Sequence, residues 1–250
     1  MGRVESYILQ KIASKGSIHF TLLDPDKVQP SQAGQIATKL EALGTSAIMI
    51  GGSTVVSVSQ LDDVVKEVQK TVQIPVILFP NHITGISQYA DAILFMSLLN
   101  SDNPLFISGI QALGAPLIKR YDLETLPLGY IIIDSGSTAA YIGQARALPR
   151  NKPEIAASFA LAAQYLGMRF VYLEAGSGAK SPIPYEMIRY VKDVIDIPLI
   201  VGGGIKTGEV ARNVVKSGAD IVVTGTVIEH MQQAQNISSI ITAIQNEKHR

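Results

Sequence analysis

Short runs of apolar residues alternate with longer amphipathic segments along the chain. The short runs are rich in branched and aromatic residues and mostly end at Gly, Pro, Asp or Ser, which predicts eight β-strands. The predicted strands are Ile18–Leu23, Ala47–Ile50, Pro75–Phe79, Ala92–Met96, Gly129–Ile133, Phe170–Leu173, Pro198–Val201 and Ile221–Val223. Several of them are apolar throughout, as expected of parallel strands that are covered on both faces.

Between the strands, apolar residues recur at the spacing of one helix face. This pattern predicts helices at Ser31–Leu43, Ser59–Val72, Pro104–Leu113, Pro153–Leu166, Pro184–Val194, Thr207–Lys216 and Ile237–Ile244. The third and fourth strands are so close in sequence that the helix between them is expected to be short or missing. Pro116 and Pro127 predict an irregular stretch before the fifth strand. The alternation favours one parallel (β/α)8 barrel over residues 1–250, with an open doubly wound sheet as the alternative.

Composition and charge exclude several classes of function. Lys and Arg total 21 and so do Asp and Glu, which argues against general nucleic-acid binding and electrostatic attachment to anionic lipid. The chain has no cysteine, so disulfides, zinc-thiolate sites and a cysteine nucleophile are excluded. It shows neither a signal peptide nor an apolar run of about 18 residues, so a soluble cytoplasmic protein without a membrane span is expected.

Glycine-rich loops follow each of the last three predicted strands. They are Ala175–Ala179, Gly202–Gly204 and Thr224–Thr226. Glycines let a backbone approach a phosphate closely and point N–H groups at it, and barrels often bind phosphate after their seventh and eighth strands. The candidate phosphate-binding residues are therefore Gly203, Gly204, Gly225 and Thr226. For a single glycine run, a simple turn is the alternative.

Oxygen-bearing side chains stand at other strand ends. Asp24 follows the first strand and Ser53 the second, and oxygen ligands of this kind suit Mg²⁺ that also binds a substrate diphosphate, although Asp-Pro-Asp also favours turns. Glu174 ends the sixth strand beside a phosphate loop, which suits positioning or deprotonating a substrate hydroxyl. Its alternative is an ion pair with a neighbouring cation.

Three other polar features carry weaker hypotheses. His19 lies inside a predicted strand and is interpreted as a core histidine. Asp62–Asp63 lies on a predicted helix and is interpreted as part of a solvated face. Lys119 would suit a Schiff base in an aldolase-type barrel, although the neighbouring Arg120 indicates exposure.

Several motifs together resemble one known family. They are Leu22–Lys27, Met49–Ser53, Phe79–Pro80, Ala90–Ser101, Tyr172–Gly178 and Val201–Ile205. This combination resembles the geranylgeranylglyceryl phosphate synthases over nearly the whole chain. The resemblance implies a modified barrel without its third helix. It also implies Mg²⁺-dependent transfer of a geranylgeranyl group from its diphosphate to the C3 hydroxyl of sn-glycerol 1-phosphate, the first ether bond of archaeal membrane lipids.

The same resemblance implies roles for individual residues. Asp24 and Ser53 would hold Mg²⁺ against the diphosphate, and Glu174 would orient or deprotonate the attacking hydroxyl. The glycerol phosphate would be bound by Tyr172, Leu173, Glu174, Ala175, Gly176, Ser177 and Gly178, with Gly203, Gly204, Gly225 and Thr226 around its phosphate. The candidates for the prenyl groove are Phe95, Met96, Leu98 and Leu99, with ordinary core packing as their alternative. Members form dimers or larger rings, for which Tyr141 is a candidate anchor.

The chain departs from the family pattern at two places. Leu22 stands where some members have lysine, and Asn81–His82 stands where glycine is usual. These departures affect the expected diphosphate contacts and groove wall. Three alternatives remain at this point: a related synthase of different prenyl chain length, a sugar-phosphate isomerase or aldolase-type barrel, and a phosphate-binding module without catalysis.

Overall fold

Parallel strands form a closed barrel in the computed structural model, which describes residues 1–52, 57–225 and 234–247. The eight strands are neighbours in chain order, and the first pairs with the last. They are β1 (Ile18–Leu23), β2 (Ala47–Ile50), β3 (Val76–Leu78), β4 (Ala92–Leu98), β5 (Glu124–Ile132), β6 (Phe170–Glu174), β7 (Leu199–Gly202) and β8 (Ile221–Thr224). The predicted parallel barrel is confirmed, and the open sheet is excluded.

Helices surround this barrel and close one of its ends. They are α1 (Arg3–Lys15), α2 (Pro30–Leu43), α3 (Val58–Gln69), α4 (Ile110–Arg120), α5 (Thr138–Ile142), α6 (Pro153–Tyr165), α7 (Tyr185–Lys192), α8 (Gly208–Lys216) and α9 (Ala234–Gln245). Between β3 and β4 the chain forms only a 3-10 turn, Ile83–Gly85. The predicted loss of the third helix is therefore confirmed.

Successive strand residues alternate between the barrel interior and the outer layer under the helices. On β6, Phe170 and Tyr172 belong to the interior cluster, whereas Val171 and Leu173 pack in the outer layer. Both layers are apolar because a parallel strand inside a ring of helices is buried on both faces. The alternation therefore decides which side chains at the strand ends point toward the barrel axis.

Helix α1 packs across the amino-terminal end of the barrel. Its Val4 and Ile8 are buried in the interior cluster. The Glu124 carboxylate accepts hydrogen bonds from the backbone N–H groups of Val4 and Glu5, at 2.8 Å each, and so satisfies donors that a helix start leaves free. This end is consequently committed to packing, which leaves the opposite mouth for a binding site.

The irregular stretch predicted from Pro116 and Pro127 is wrong. Pro116 lies inside α4 on its exposed face, where water can reach the Ala112 carbonyl that loses its partner. Pro127 lies in β5, which begins at Glu124 rather than Gly129. The Pro127 carbonyl accepts the N–H of Arg169 just before β6 begins, so the proline ring faces a position where no strand partner exists.

Candidate active site

A cavity of about 940 Å³ opens at the carboxyl-terminal mouth of the barrel. One part, the polar chamber, is lined by Asp24, Lys27, Gly51, Gly52, Glu174, Ser177, Gly178, Gly203, Gly204, Lys206, Thr224 and Gly225. These residues end or follow β1, β2, β6, β7 and β8. The predicted convergence of polar strand ends at one opening is therefore what the structure shows for these residues.

The other part of the cavity, the apolar arm, is lined by Ile83, Ile86, Ile93, Phe95, Phe106, Ile110, Gly114 and Ile118. Two of these, Ile93 and Phe95, lie on the outer face of β4. Leu94, Met96 and Leu98, from the inner face, line the same cavity. The arm thus passes from the barrel mouth over β4 to the outer layer, into the space where a helix after β3 would otherwise pack.

Glu174 stands at the end of β6 with its side chain buried toward the barrel axis. It accepts a hydrogen bond from the N–H of Gly176 at 2.5 Å, and the hydroxyls of Tyr172 and Tyr130 also bond to it. Burial raises the pKa of Glu174 above its ordinary value, and these three hydrogen bonds oppose that rise. A carboxylate with a raised pKa inside a cavity is a typical general base.

Three aromatic rings surround the approach to Glu174 from the barrel interior. Phe79 stacks on Tyr172 with ring centroids 5.7 Å apart, and the Tyr130 ring meets Tyr172 edge-on at 5.3 Å. Burial raises the pKa of both tyrosines well above 10, so their hydroxyls stay protonated and donate to Glu174. Ring faces of this kind attract positive charge.

The loops after β6 and β7 pack directly against each other. Gly203 has φ +85°, and a Cβ there would lie 2.7 Å from the backbone nitrogen of Gly176 and 2.8 Å from Oε1 of Glu174. Gly204 has φ +71°, and a Cβ there would lie 2.4 Å from the carbonyl oxygen of Ser181. Only glycine fits both the left-handed backbone and this closeness. The result is a backbone cradle beside the buried carboxylate, as phosphate binding requires.

Asp24 lines the same polar chamber and follows β1, which pairs with β8. Its carboxylate contacts Gly52, where a Cβ would lie 2.6 Å from Oδ1, and it is 3.6 Å from the Lys27 ammonium. A single carboxylate fits Mg²⁺ that takes its remaining ligands from water and a diphosphate. The described residues contain no cluster of three or more His, Cys, Asp or Glu that would hold a metal without such help.

Two predicted site residues, Ser53 and Thr226, lie outside the described residues. Within the Tyr172–Gly178 run, Leu173 and Ala175 point into the outer hydrophobic layer, which leaves only their backbone to contribute. Tyr172, Glu174, Ser177 and Gly178 line the cavity, and Gly176 donates to Glu174.

The candidates for the prenyl groove, for the oligomer anchor and for a Schiff base also differ in whether they line the cavity. Phe95, Met96 and Leu98 line the cavity, whereas Leu99 packs in the core beside Gly129. Tyr141 on α5 is 87% exposed. Lys119 is exposed at the end of α4 and does not line the cavity, which removes the support for a Schiff base at that lysine.

Sequence reasoning missed Tyr130 and Lys206 as cavity residues. Tyr130 lies opposite Tyr172 in the β5–β6 register and so shares its inward direction, but that register is not readable from sequence. Lys206 follows the glycine run by two residues and lines the polar chamber, a position that the motif itself would have indicated.

Comparison with known proteins agrees with this geometry. The PcrB family model matches residues 10–244. The chain belongs to the PcrB family. This family member is 54% identical over 246 residues to the geranylgeranylglyceryl phosphate synthase of Pyrococcus horikoshii, covering 98% of this chain and 96% of that relative. It is 58% identical over 229 residues to the synthase of Thermococcus gammatolerans, covering 92% of this chain and 90% of that relative.

A solved structure of similar fold carries a bound substrate. It is (S)-3-O-geranylgeranylglyceryl phosphate synthase from Thermoplasma acidophilum in complex with sn-glycerol-1-phosphate. This PcrB-family chain matches it with TM-score 0.94 and 38% identity, over 99% of this chain and 100% of the other. The wild-type enzyme from Thermoplasma volcanium matches with TM-score 0.95, 37% identity and full coverage of both chains, 100% each.

Proposed function

We propose that this PcrB-family protein is a geranylgeranylglyceryl phosphate synthase. It transfers a geranylgeranyl group from geranylgeranyl diphosphate to the C3 hydroxyl of sn-glycerol 1-phosphate. The observation that carries the proposal is the position of Glu174, which is buried between a glycine cradle and the entrance to the apolar arm. A small polar acceptor and a long apolar donor therefore meet at one carboxylate.

The proposed reaction is an alkylation of the glycerol oxygen. Gly203, Gly204 and Gly225 hold the phosphate of the acceptor, and Thr226, outside the described residues, is proposed to add a contact from its hydroxyl. Glu174 accepts the proton of the C3 hydroxyl while the oxygen of that hydroxyl forms a bond to C1 of the prenyl group. The bond between C1 and the diphosphate oxygen breaks, and the diphosphate leaves with the electron pair. The rings of Phe79, Tyr130 and Tyr172 favour the positive charge that develops at the allylic carbon.

Asp24, with Ser53, is proposed to hold Mg²⁺ on the diphosphate side of the polar chamber. The bound ion supplies charge neutralisation of the leaving group. Lys27, 3.6 Å from Asp24, adds a further positive charge on this side. The Lys27 ammonium is therefore proposed to help neutralise the charge of the departing diphosphate. Some family members have a further lysine at the position of Leu22, which this chain lacks.

The apolar arm distinguishes this function from that of a sugar-phosphate isomerase or aldolase. A sugar phosphate is small and polar and would not fill the apolar arm, which is lined by Ile86, Ile93, Phe95 and Ile118. Asp24, the other carboxylate among the described cavity residues, lies against Gly52 and Lys27 rather than beside Glu174, so the site does not have the paired carboxylates that would suit an isomerase. The alternative of a different prenyl chain length concerns the same site and is settled by the assay below.

Location and assembly are proposed from the resemblance. No helix among the described residues has both the length and the apolar character needed to span a bilayer. We propose that the protein acts in the cytoplasm and as a homo-oligomer, either a dimer or a larger ring, with the exposed Tyr141 as its anchor. Light scattering of the purified protein measures this state, and a monomer would contradict it.

The direct test is a product assay with purified protein. It combines sn-glycerol 1-phosphate or its mirror image with prenyl diphosphates of 10, 15 and 20 carbons, each with Mg²⁺ or with a chelator. We expect ether product from sn-glycerol 1-phosphate, the highest kcat/KM with the longest donor, and loss of turnover in chelator. Absence of ether product under every condition would refute the proposed function.

A further inference from the structure

His19 is a buried ionisable residue that the proposed reaction does not use. It lies on β1, where Ile18 and Phe20 point into the barrel, so its ring points outward beneath the helices. Elsewhere this outer layer is almost entirely apolar, as Leu23, Ile48 and Ile50 illustrate. A polar ring at such a place costs stability unless every hydrogen-bonding group is satisfied.

Both ring nitrogens of His19 are satisfied by threonine hydroxyls. Nδ1 lies 2.9 Å from Oγ1 of Thr45, and Nε2 lies 2.8 Å from Oγ1 of Thr224. Thr45 in turn bonds to the carbonyl oxygen of His19 at 3.1 Å and is approached by the hydroxyl of Thr21 at 3.2 Å. All four residues are buried.

The surroundings of Thr45 favour one tautomer of the imidazole. Two carbonyl oxygens, of His19 at 3.1 Å and of Ala47 at 3.4 Å, can accept the single hydroxyl hydrogen of Thr45, which leaves its oxygen to accept from Nδ1–H. Nε2 is then unprotonated and accepts the hydroxyl hydrogen of Thr224. Burial lowers the pKa of His19 to about 3, so the ring stays neutral in this arrangement at physiological pH.

Thr224 connects the network to the polar chamber. It is the last residue of β8, lies opposite Thr21 in the β1–β8 register, and lines the cavity together with Gly225. Gly225 itself lies close to Leu22 of β1. A Cβ added to Gly225 would be 3.5 Å from the Cβ of Leu22. His19, near the start of β1, therefore holds the carboxyl end of β8 from outside the barrel, at the point where the cradle begins.

We propose that His19 is a positioning residue for the glycerol phosphate cradle, acting through Thr224. The inference rests on the proposed function, because it assigns the residue to the phosphate subsite of that reaction. Without the Nε2 acceptor, the buried Thr224 hydroxyl must turn to another partner, which moves the end of β8 and the N–H of Gly225. On the prenyl diphosphate side, Asp24 and Gly52 lie beyond the carboxyl ends of β1 and β2, whereas His19 and Thr45 lie at the amino-terminal ends of these two strands.

The test compares His19→Leu with His19→Gln. Leucine keeps the volume but removes both hydrogen bonds, whereas the terminal amide of glutamine reaches the former position of Nε2. We expect His19→Leu to raise the KM for sn-glycerol 1-phosphate by about tenfold, the size that one buried hydrogen bond represents, with kcat and the KM for the prenyl diphosphate unchanged. His19→Gln is expected to restore most of the loss.

Ser17→Ala is the matched control. Ser17 is buried on the same side and donates to the carbonyl of Ala219 at 2.8 Å, which ties the opposite ends of the same two strands together. Its loss is expected to lower the thermal midpoint without changing either KM. Thr45→Val replaces His19→Leu if that variant does not fold, because Thr45 does not line the cavity and its hydroxyl contacts the His19 ring at Nδ1.

Calorimetric titration with each substrate accompanies the kinetics, so the inference is measured even if turnover is absent. A wild-type protein that binds glycerol phosphate but forms no ether refutes the proposed function alone. An unchanged affinity for glycerol phosphate in His19→Leu, or in Thr45→Val if His19→Leu does not fold, would overturn the inference. So would a parallel loss of affinity for both substrates.

Discussion

At the scale of single residues, the surroundings of Glu174 determine what the site can do. Its carboxylate is desolvated by burial but keeps three donors, from Gly176, Tyr172 and Tyr130. Burial keeps the carboxylate basic, and the donors keep it available as an anion. A carboxylate exposed to water would also be an anion, but it would have only its ordinary, lower basicity.

Burying Glu174 has a measurable cost to stability. Its pKa is raised above the ordinary value of 4.5, so the folded state holds the proton more tightly than the unfolded chain. Stability from this group is therefore present at low pH and is lost as pH rises through the raised pKa. We expect Glu174→Gln to have a higher thermal midpoint than the wild type at pH 8, with the difference disappearing below pH about 4. Thermal unfolding across this range measures it, and a lower midpoint for the variant at pH 8 would contradict it.

Residue type and strand position were enough to identify Glu174 and Asp24 as candidates, because polar side chains at the carboxyl ends of barrel strands meet at one mouth. They were not enough to find the partners. Tyr130 looks like any other apolar strand residue until the β5–β6 register places it opposite Tyr172. His19 was correctly interpreted as a core histidine, yet its link to Thr224 depends on side-chain directions that periodicity does not give.

At the scale of elements, two features form the site: glycine-rich loops after the last strands, and a short connection between β3 and β4 in place of a helix. The loop after β7 fits against the loop after β6 only because Gly203 and Gly204 have no Cβ. The short connection from β3 to β4 leaves both faces of β4 open to the cavity. Each feature creates a space of a different chemical character.

The glycine cradle predicts a sharp effect of one methyl group. Gly203→Ala places a Cβ 2.7 Å from the backbone of Gly176 in a left-handed conformation, so the two loops must separate. We expect kcat/KM for the glycerol phosphate to fall on the order of a hundredfold. Gly167→Ala is the matched control, because Gly167 has the same φ of +85° but no atom within 4 Å and lies outside the cavity. Equal kinetics for the two variants would contradict the role of the cradle.

The far part of the apolar arm predicts which substitution alters chain length. A Cβ on Gly114 would lie 3.2 Å from Cδ1 of Ile86 and 3.9 Å from Cδ1 of Ile118, so Gly114→Leu fills the arm there. We expect KM to rise at least about tenfold for a 20-carbon donor and little for a 10-carbon donor. Ala115→Leu places the same leucine side chain on the exposed face of α4 and serves as the control. An equal effect on both donors in Gly114→Leu would refute this role.

The sequence was most informative where spacing itself carries structure. The missing helix was predicted because too few residues separate two strands, and no packing detail can change that count. The proline positions were misjudged because their effect depends on tertiary context. Pro116 lies on the solvent side of α4, and Pro127 lies beside the residues just before β6, which are not part of a strand. Neither proline therefore interrupts a hydrogen bond that the fold needs.

At the scale of the whole molecule, one end of the barrel is closed by packing and the other end carries the proposed active site. Helix α1 seals one end through Val4, Ile8 and the Glu124 cap. The other end brings together loops from distant parts of the sequence. The polar chamber and the apolar arm meet beside Glu174, which makes this carboxylate the place where acceptor and donor react.

The most direct measurement is the behaviour of Glu174→Gln with its two substrates. Glutamine keeps the size of the side chain but cannot accept the hydroxyl proton, so we predict that kcat falls by about 10²–10⁴-fold. Calorimetry should show that the variant still binds sn-glycerol 1-phosphate, because the cradle is backbone. Glu186→Gln, an exposed position on α7, controls for the loss of one negative charge. Wild-type turnover in Glu174→Gln would contradict the role of this carboxylate as the base that receives the proton.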